Sequence, residues 1–302
     1  CLWLADGLPS QIPLAAGDVI PPFTGIASIV LVVSNVLSFG GMEVNAVHAD
    51  QMRDPRRGYT KAVMVAFGLI LGVTVLPTIA VALVVPNAQL GFTNGVNLAF
   101  GAYFGHLHID WATYVLSGAI ALGAMASVIS WVAGPSKGLA AAASTGLLPR
   151  WLQQRNEHGV QESSLAVQGV IVSLLALLFV FTPNVSNALI VLVDVAAALY
   201  LVMYLLMFAS VVVLRRKQPS AERVYRVKAV RLVAGTGFVA SLAALIMAFV
   251  PPAGHSAFPP WAYPWLVGLA VVLLGSPPLL FYHFRKPAWV GPAADHSPPP
   301  VR

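Results

Sequence analysis

A short stretch that joins two glycines to an acid is the first place where this sequence could do chemistry. The stretch consists of Ser38, Phe39, Gly40, Gly41, Met42 and Glu43. It lies inside an apolar run, residues 23–49, that carries no charge before Glu43. Paired glycines weaken a helix and let another group approach its backbone, and an acid inside such a run by default marks a pathway. The pattern predicts a discontinuous helix whose freed backbone groups bind a ligand beside Glu43.

A simpler interpretation of the same stretch stays open. Gly40 and Gly41 could serve only close packing against a neighbouring helix. Glu43 stands six residues before the end of the apolar run, so its carboxylate could also reach water.

Two further sets of residues each share one helix face. Ser127, Ser130 and Trp131 are spaced i, i+3, i+4, and such residues are neighbours on a helix surface. Tyr200 and Tyr204 are spaced i, i+4. Either set could line a polar cavity. Equally, the serines could pack helices together, the tryptophan could anchor an interface, and the tyrosine hydroxyls could bond a neighbouring helix.

Asp194 is the second acid inside an apolar run. Helical rotation places it about 240° from Tyr200, so it does not share the face of the tyrosines. A helix that begins near Ser186 would place Asp194 toward its outer end. The positive end of the helix dipole would stabilise the carboxylate there.

The composition shows what kind of protein must position these residues. Of 302 residues, 58% are hydrophobic and 9% are charged, with a mean hydropathy of +0.80. A soluble domain has about 25% charged residues, so a soluble enzyme, a disordered chain and a secreted module are excluded. The single cysteine, Cys1, excludes a disulfide framework or a cysteine-based metal site.

Seven apolar runs are long enough to cross a bilayer as helices, for which about 20 residues suffice. They comprise residues 23–49, 62–85, 111–134, 163–181, 187–214, 232–250 and 261–284. Backbone amides in lipid must be satisfied internally, so runs of this kind become helices. The sequence therefore predicts an all-α integral membrane protein with seven transmembrane helices.

The basic residues predict the orientation of these helices. All 17 Lys and Arg residues fall on alternate loops, hence on one side of the membrane. The positive-inside rule makes that side cytoplasmic, with the N-terminus outside and the C-terminus inside. The pI near 9.7 then reflects topology, and no nucleic-acid partner is expected. We expect an outer loop with the stub of a preceding helix at 1–22, the bundle at 23–284 and a cytoplasmic tail at 285–302.

Several segments resemble the amino-acid permeases of the amino acid–polyamine–organocation superfamily, above all the glutamate/γ-aminobutyrate antiporters. Gly41-Met42-Glu43 with the following Asp54-Pro55 resembles their sixth helix and loop. The segment from Ser130 to Gly138 resembles the end of their eighth helix, and Gly146-Leu147-Leu148-Pro149 the loop after it. Tyr200, Tyr204 and the basic exit at Arg215 resemble their tenth helix.

The resemblance implies the C-terminal portion, helices six to twelve, of a twelve-helix LeuT-like fold with inverted repeats. It implies a bacterial inner-membrane transporter, with Ser38–Met42 holding the amino and carboxylate groups of an amino-acid substrate. Glu43 would belong to a cytoplasmic-side gate, Trp131 would close over the substrate, and Tyr200 and Tyr204 would lie near the pathway. Ser127 departs from the subgroup, which has a glutamate there, so glutamate specificity is not implied.

The function expected on this basis is amino-acid transport by alternating access, with exchange of one amino compound for another. The alternative is a receptor or a structural membrane subunit. An enzyme is not expected, because Glu43 and Asp194 lie toward opposite membrane faces and make no catalytic pair. We expect no cofactor and no metal, and interpret His106 and His108 as outer-loop residues. The sequence leaves the oligomeric state open.

Overall fold

A computed structural model shows which of the predicted elements form and how they pack. It describes residues 3, 6–12, 40, 41, 43, 46, 52, 54–91, 94–144, 146–157, 159–181, 185–221, 223, 226–251 and 259–289. Within these ranges the chain is helical and contains no strand, which confirms the all-α fold class. The predicted helix at 23–49 lies largely outside the described residues, and so do Ser38, Phe39 and Met42.

Eight α-helices make up most of the described chain. They are α1 Pro55–Val84, α2 Gly95–His106, α3 Trp111–Ser144, α4 Glu162–Phe181, α5 Val185–Lys217, α6 Val230–Met247, α7 Tyr263–Gly275 and α8 Pro277–His283. Three short 3-10 helices connect or follow them at Asn87–Gln89, Arg150–Gln153 and Pro287–Trp289.

Six segments of the described chain are long and apolar enough to cross a membrane. They are Gly58–Val84, Trp111–Ala140, Glu162–Phe181, Val185–Lys217, Val230–Met247 and Tyr263–His283. They coincide with six of the seven predicted runs. Much of their apolar surface is exposed, as on α1, where Leu76 is 69% exposed, and on α3, where Leu122 is 70% exposed. Contiguous apolar surface of this extent is typical of helices that face lipid or further helices.

The structure departs from the sequence-based expectation in two connecting regions. The segment between the second and third runs contains α2, where a loop was expected. The last run is divided into α7 and α8, because Pro277 and Pro278 open α8 and proline cannot continue the hydrogen-bond ladder of the preceding helix.

Helix α5 is the most buried of the six apolar spans. Its Val191, Val195 and Leu201 pack with Tyr263 and Val267 of α7 in one hydrophobic cluster. Helix α5 also packs closely on α6, where Gly237 lies against the ring of Phe208. The helix is thus the element around which the described bundle is organised.

Replacing Gly237 by alanine should weaken the contact between α5 and α6. A Cβ atom there would lie 2.5 Å from Cζ of Phe208, and overpacking of this kind costs about 1–3 kcal/mol. We expect a lower melting temperature in detergent. Gly235→Ala, on the same helix, is the matched control, because a Cβ atom there meets no described atom within 4 Å. Equal melting temperatures for the two variants would contradict this packing.

Candidate functional site

Tyr204 joins helix α5 to the glycine-containing segment. Its hydroxyl accepts a hydrogen bond from the Gly41 backbone N–H at 3.2 Å. The same hydroxyl donates to Oε2 of Glu43, also at 3.2 Å. One side chain therefore satisfies a backbone donor and a carboxylate that lie two residues apart. Tyr204 therefore links both Gly41 and Glu43 to α5.

Gly41 is a position where only glycine fits. Its φ is +94°, in the left-handed region that other residues rarely adopt. A Cβ atom at Gly41 would also lie 2.6 Å from Cη2 of Trp131 on α3. The indole therefore lies directly against the backbone, as the sequence argument for close approach predicts.

Three aromatic rings form a continuous row beside this backbone. The Trp131 and Tyr200 ring centroids are 6.4 Å apart at an interplanar angle of 84°. The Tyr200 and Tyr204 centroids are 5.9 Å apart at 60°. Edge-to-face pairs of this kind are favourable because the positive ring edge meets the negative ring face. The row links α3 to α5 and orients the Tyr204 hydroxyl toward Glu43.

Glu43 is only partly satisfied. Oε2 receives the Tyr204 hydroxyl, whereas Oε1 is buried and has no hydrogen-bond partner in the described part of the chain. Buried polar atoms in proteins are normally paired, and an unpaired one costs free energy. A carboxylate oxygen in this position can accept a hydrogen bond from an ammonium group.

The structure brings together five of the residues singled out from the sequence, and it leaves others apart. Gly41, Glu43, Trp131, Tyr200 and Tyr204 form one group, which we call the Tyr204 cluster, and Gly40 is half-buried beside it. Ser127 and Ser130 are exposed on α3, and neither bonds the cluster among the described residues. The Ser130 hydroxyl instead donates to the Ala126 carbonyl of its own helix.

The interpretation of Asp194 as an aspartate at the outer end of its helix is wrong. Helix α5 begins at Val185, so Asp194 lies in its third turn, and the side chain is only 4% exposed. Its Oδ2 accepts a 2.5 Å hydrogen bond from the Tyr263 hydroxyl, and Tyr263 is fully buried. A specific donor, rather than the helix dipole, stabilises this carboxylate.

Sequence reasoning overlooked Tyr263. One signal was present, because Asp194 and Tyr263 both lie near the start of apolar runs that enter from the same side of the membrane. The Asp194 pair and the Tyr204 cluster contact different elements, as the helical rotation between Asp194 and Tyr200 predicts.

The described residues contain no group of three metal-ligating side chains. His106 and His108 are exposed, and Nε2 of His106 lies 3.5 Å from Oδ2 of Asp6. The His106 side chain is 39% exposed and the Asp6 side chain is 42% exposed. An exposed ion pair of this kind contributes little stability.

Replacing Tyr204 by phenylalanine removes a hydroxyl that serves two groups. The Gly41 N–H and Glu43 Oε2 then lose a partner, and each unsatisfied buried group costs about 1–3 kcal/mol. We expect a lower melting temperature than for Tyr200→Phe, because the Tyr200 hydroxyl makes no hydrogen bond to any described residue. Equal melting temperatures would show that these bonds do not hold the segment in place.

Comparison with known proteins finds several that resemble this chain. The amino acid permease family matches residues 2–272. A glutamate/gamma-aminobutyrate antiporter of Lactococcus lactis subsp. lactis is 33% identical over 291 residues, which cover 94% of this chain and 58% of that protein. An uncharacterised transporter of Legionella pneumophila is 32% identical over 237 residues, or 77% of this chain and 51% of that protein. The putrescine transporter PotE of Haemophilus influenzae is 25% identical over 210 residues, or 68% and 46%.

The chain thus spans about half the length of the curated relatives it matches. The relatives are transporters, and six helices are long and apolar enough to cross a membrane. The chain is therefore a multi-pass membrane protein, and the resemblance inferred from its motifs is confirmed. It belongs to the amino acid permease family of the amino acid–polyamine–organocation superfamily.

Proposed function

We propose that this chain carries the substrate site of an amino-acid antiporter that works by alternating access. The Tyr204 cluster carries the proposal, because it places a half-satisfied buried carboxylate beside a backbone that only glycine permits. Family membership supports transport of amino compounds, and the name of the Lactococcus lactis relative supports exchange.

Each member of the site has a distinct role in this proposal. Backbone groups of the segment 38–42 hold the amino and carboxylate groups of the substrate. Oε1 of Glu43 meets a positively charged amino group. The Trp131 indole covers the bound compound, while Tyr200 and Tyr204 line the path and fix the carboxylate. Ser127 contributes on the same face of α3, one turn before Trp131.

The exchange behaviour follows from the same contacts. Tyr204, Gly41 and Trp131 connect α5, the segment 40–43 and α3. A compound that binds Glu43 competes with the link to Tyr204 and so changes the relation between these elements. Reorientation then depends on occupancy, because a ligand shifts a conformational equilibrium only through its different affinity for the two states. One amino compound enters as another leaves.

The proposed location is the bacterial inner membrane, with the basic loops in the cytoplasm. The support is the placement of all 17 basic residues on alternate loops. On this orientation the Arg150–Gln153 turn and the end of α5 are cytoplasmic, whereas α2 and the start of α7 face outward.

The permease, expressed from its complete gene and reconstituted in liposomes, should take up labelled amino acid only against a preloaded amino compound. Glu43→Gln should lower exchange by about tenfold or more, since a lost hydrogen bond to a charged group costs about 1.5–3 kcal/mol. Trp131→Ala should also lower exchange, because it removes the ring that covers the bound compound. Ser130→Ala is the matched control on α3 and should exchange normally.

Two results would count against this proposal in different ways. If empty liposomes took up as much labelled amino acid as preloaded ones, obligatory exchange would be excluded, but the site assignment would stand. Normal exchange in the Glu43→Gln, Trp131→Ala double variant would remove the Tyr204 cluster from the substrate pathway.

A further inference from the structure

The positive charge of this protein is concentrated in one connection. Residues 215–231, which join α5 to α6, contain seven of the 17 basic residues and one of the 11 acidic residues. Outside this connection the chain has ten basic and ten acidic residues, so their formal charges cancel. The whole formal charge of +6 therefore belongs to a single segment, which we call the basic connection.

The basic connection is folded back against the end of α5. The Arg223 guanidinium donates to the carbonyl oxygens of Gln218 at 2.7 Å, Ala221 at 3.1 Å and Leu214 at 3.3 Å. Of these acceptors, Leu214 lies in the last turn of α5, and Gln218 directly follows the helix. Arg223 is thus a positioning residue that holds the chain close to the level where α5 ends.

Five other basic side chains of the connection are exposed. They are Arg216, Lys217, Arg226, Lys228 and Arg231. None of the five forms an ion pair or a hydrogen bond with any other residue of the described ranges. Because α5 and α6 are both membrane-spanning helices, these five charges lie at the membrane surface, beside the lipid headgroups.

Helix stability and topology do not account for this concentration. Arg216 and Lys217 suit the negative end of α5, but Arg231 lies in the first turn of α6, where a positive charge opposes the helix dipole. The other loops on the same face carry three or four basic residues each and also contain acids. A smaller excess of basic over acidic residues therefore suffices for orientation.

We propose that the basic connection binds the phosphate groups of anionic phospholipids. Clusters of four to eight Lys and Arg residues next to a membrane helix attract anionic lipids, and the attraction falls off within a Debye length. The exposed guanidinium and ammonium groups supply the matching donors. Bound lipid stabilises the junction of α5 and α6, and this inference rests on membrane embedding alone, not on the proposed transport.

The test uses the purified permease in nanodiscs of phosphatidylcholine, with or without phosphatidylglycerol, and measures melting temperature and bound lipid by native mass spectrometry. The loop variant combines Arg216→Gln, Lys217→Gln, Arg226→Gln and Lys228→Gln. The control variant neutralises four exposed basic residues elsewhere on the same face, with Lys61→Gln, Arg155→Gln, Arg285→Gln and Lys286→Gln.

Phosphatidylglycerol should raise the melting temperature of the wild type and of the control variant, and have little effect on the loop variant. Affinity for phosphatidylglycerol should fall roughly tenfold or more in the loop variant, given the contribution of each surface charge. In the wild type, which needs no substitution, the stabilisation should shrink between 0.05 and about 0.5 M salt because salt screens surface charges.

Three outcomes would overturn the proposal. The first is that phosphatidylglycerol stabilises the loop and control variants equally. The second is that it does not stabilise the wild type. The third is that free inorganic phosphate stabilises the wild type fully in phosphatidylcholine alone. The last would mean that a soluble anion, not a lipid, occupies the site.

Discussion

The cost of placing a carboxylate inside an apolar bundle shapes this structure. Glu43 and Asp194 both lie inside apolar runs of the sequence, and a tyrosine hydroxyl donates a hydrogen bond to each. Tyr263 of α7 serves Asp194, and Tyr204 of α5 serves Glu43. A phenol suits this task because its ring packs in apolar surroundings while its hydroxyl supplies the donor. Helix α5 takes part in both pairs, as acceptor in one and donor in the other.

The two pairs divide α5 into a fixed side and an adjustable side. The Asp194–Tyr263 bond lies in a cluster of fully buried residues that includes Val267 and Leu201. Breaking it would remove a hydrogen bond to a buried carboxyl group, and hydrogen bonds to such groups are costly to lose in a core. The Tyr204 cluster is less enclosed, since Trp131 is 47% exposed. The first pair therefore fixes α7 on α5, while the second can change its contacts at lower cost.

Sequence patterns predicted the parts of this molecule that depend on local chemistry. Long apolar runs predicted the six described spans, and i, i+4 spacing predicted that Tyr200 and Tyr204 share one face. Gly41 marked a close approach, although its neighbour Trp131 could not be identified by spacing. Helix α2 was missed because its twelve residues show little periodicity of hydrophobic and polar positions. Tyr263 was missed because its partner is 69 residues away and only tertiary packing joins them.

The unequal state of the two Glu43 oxygens bears on how a transport cycle could be driven. In the proposed cycle, a compound that met Oε1 and left the bond from Tyr204 to Oε2 intact would have no different affinity for states that differ in that bond. Such a compound would shift no equilibrium, however tightly it bound. On that proposal, a transported compound would also weaken the link between Glu43 and Tyr204, and so free the hydroxyl that accepts the Gly41 N–H to move. Because one hydroxyl holds both groups, recognition of the amino group and movement of the backbone would then be coupled.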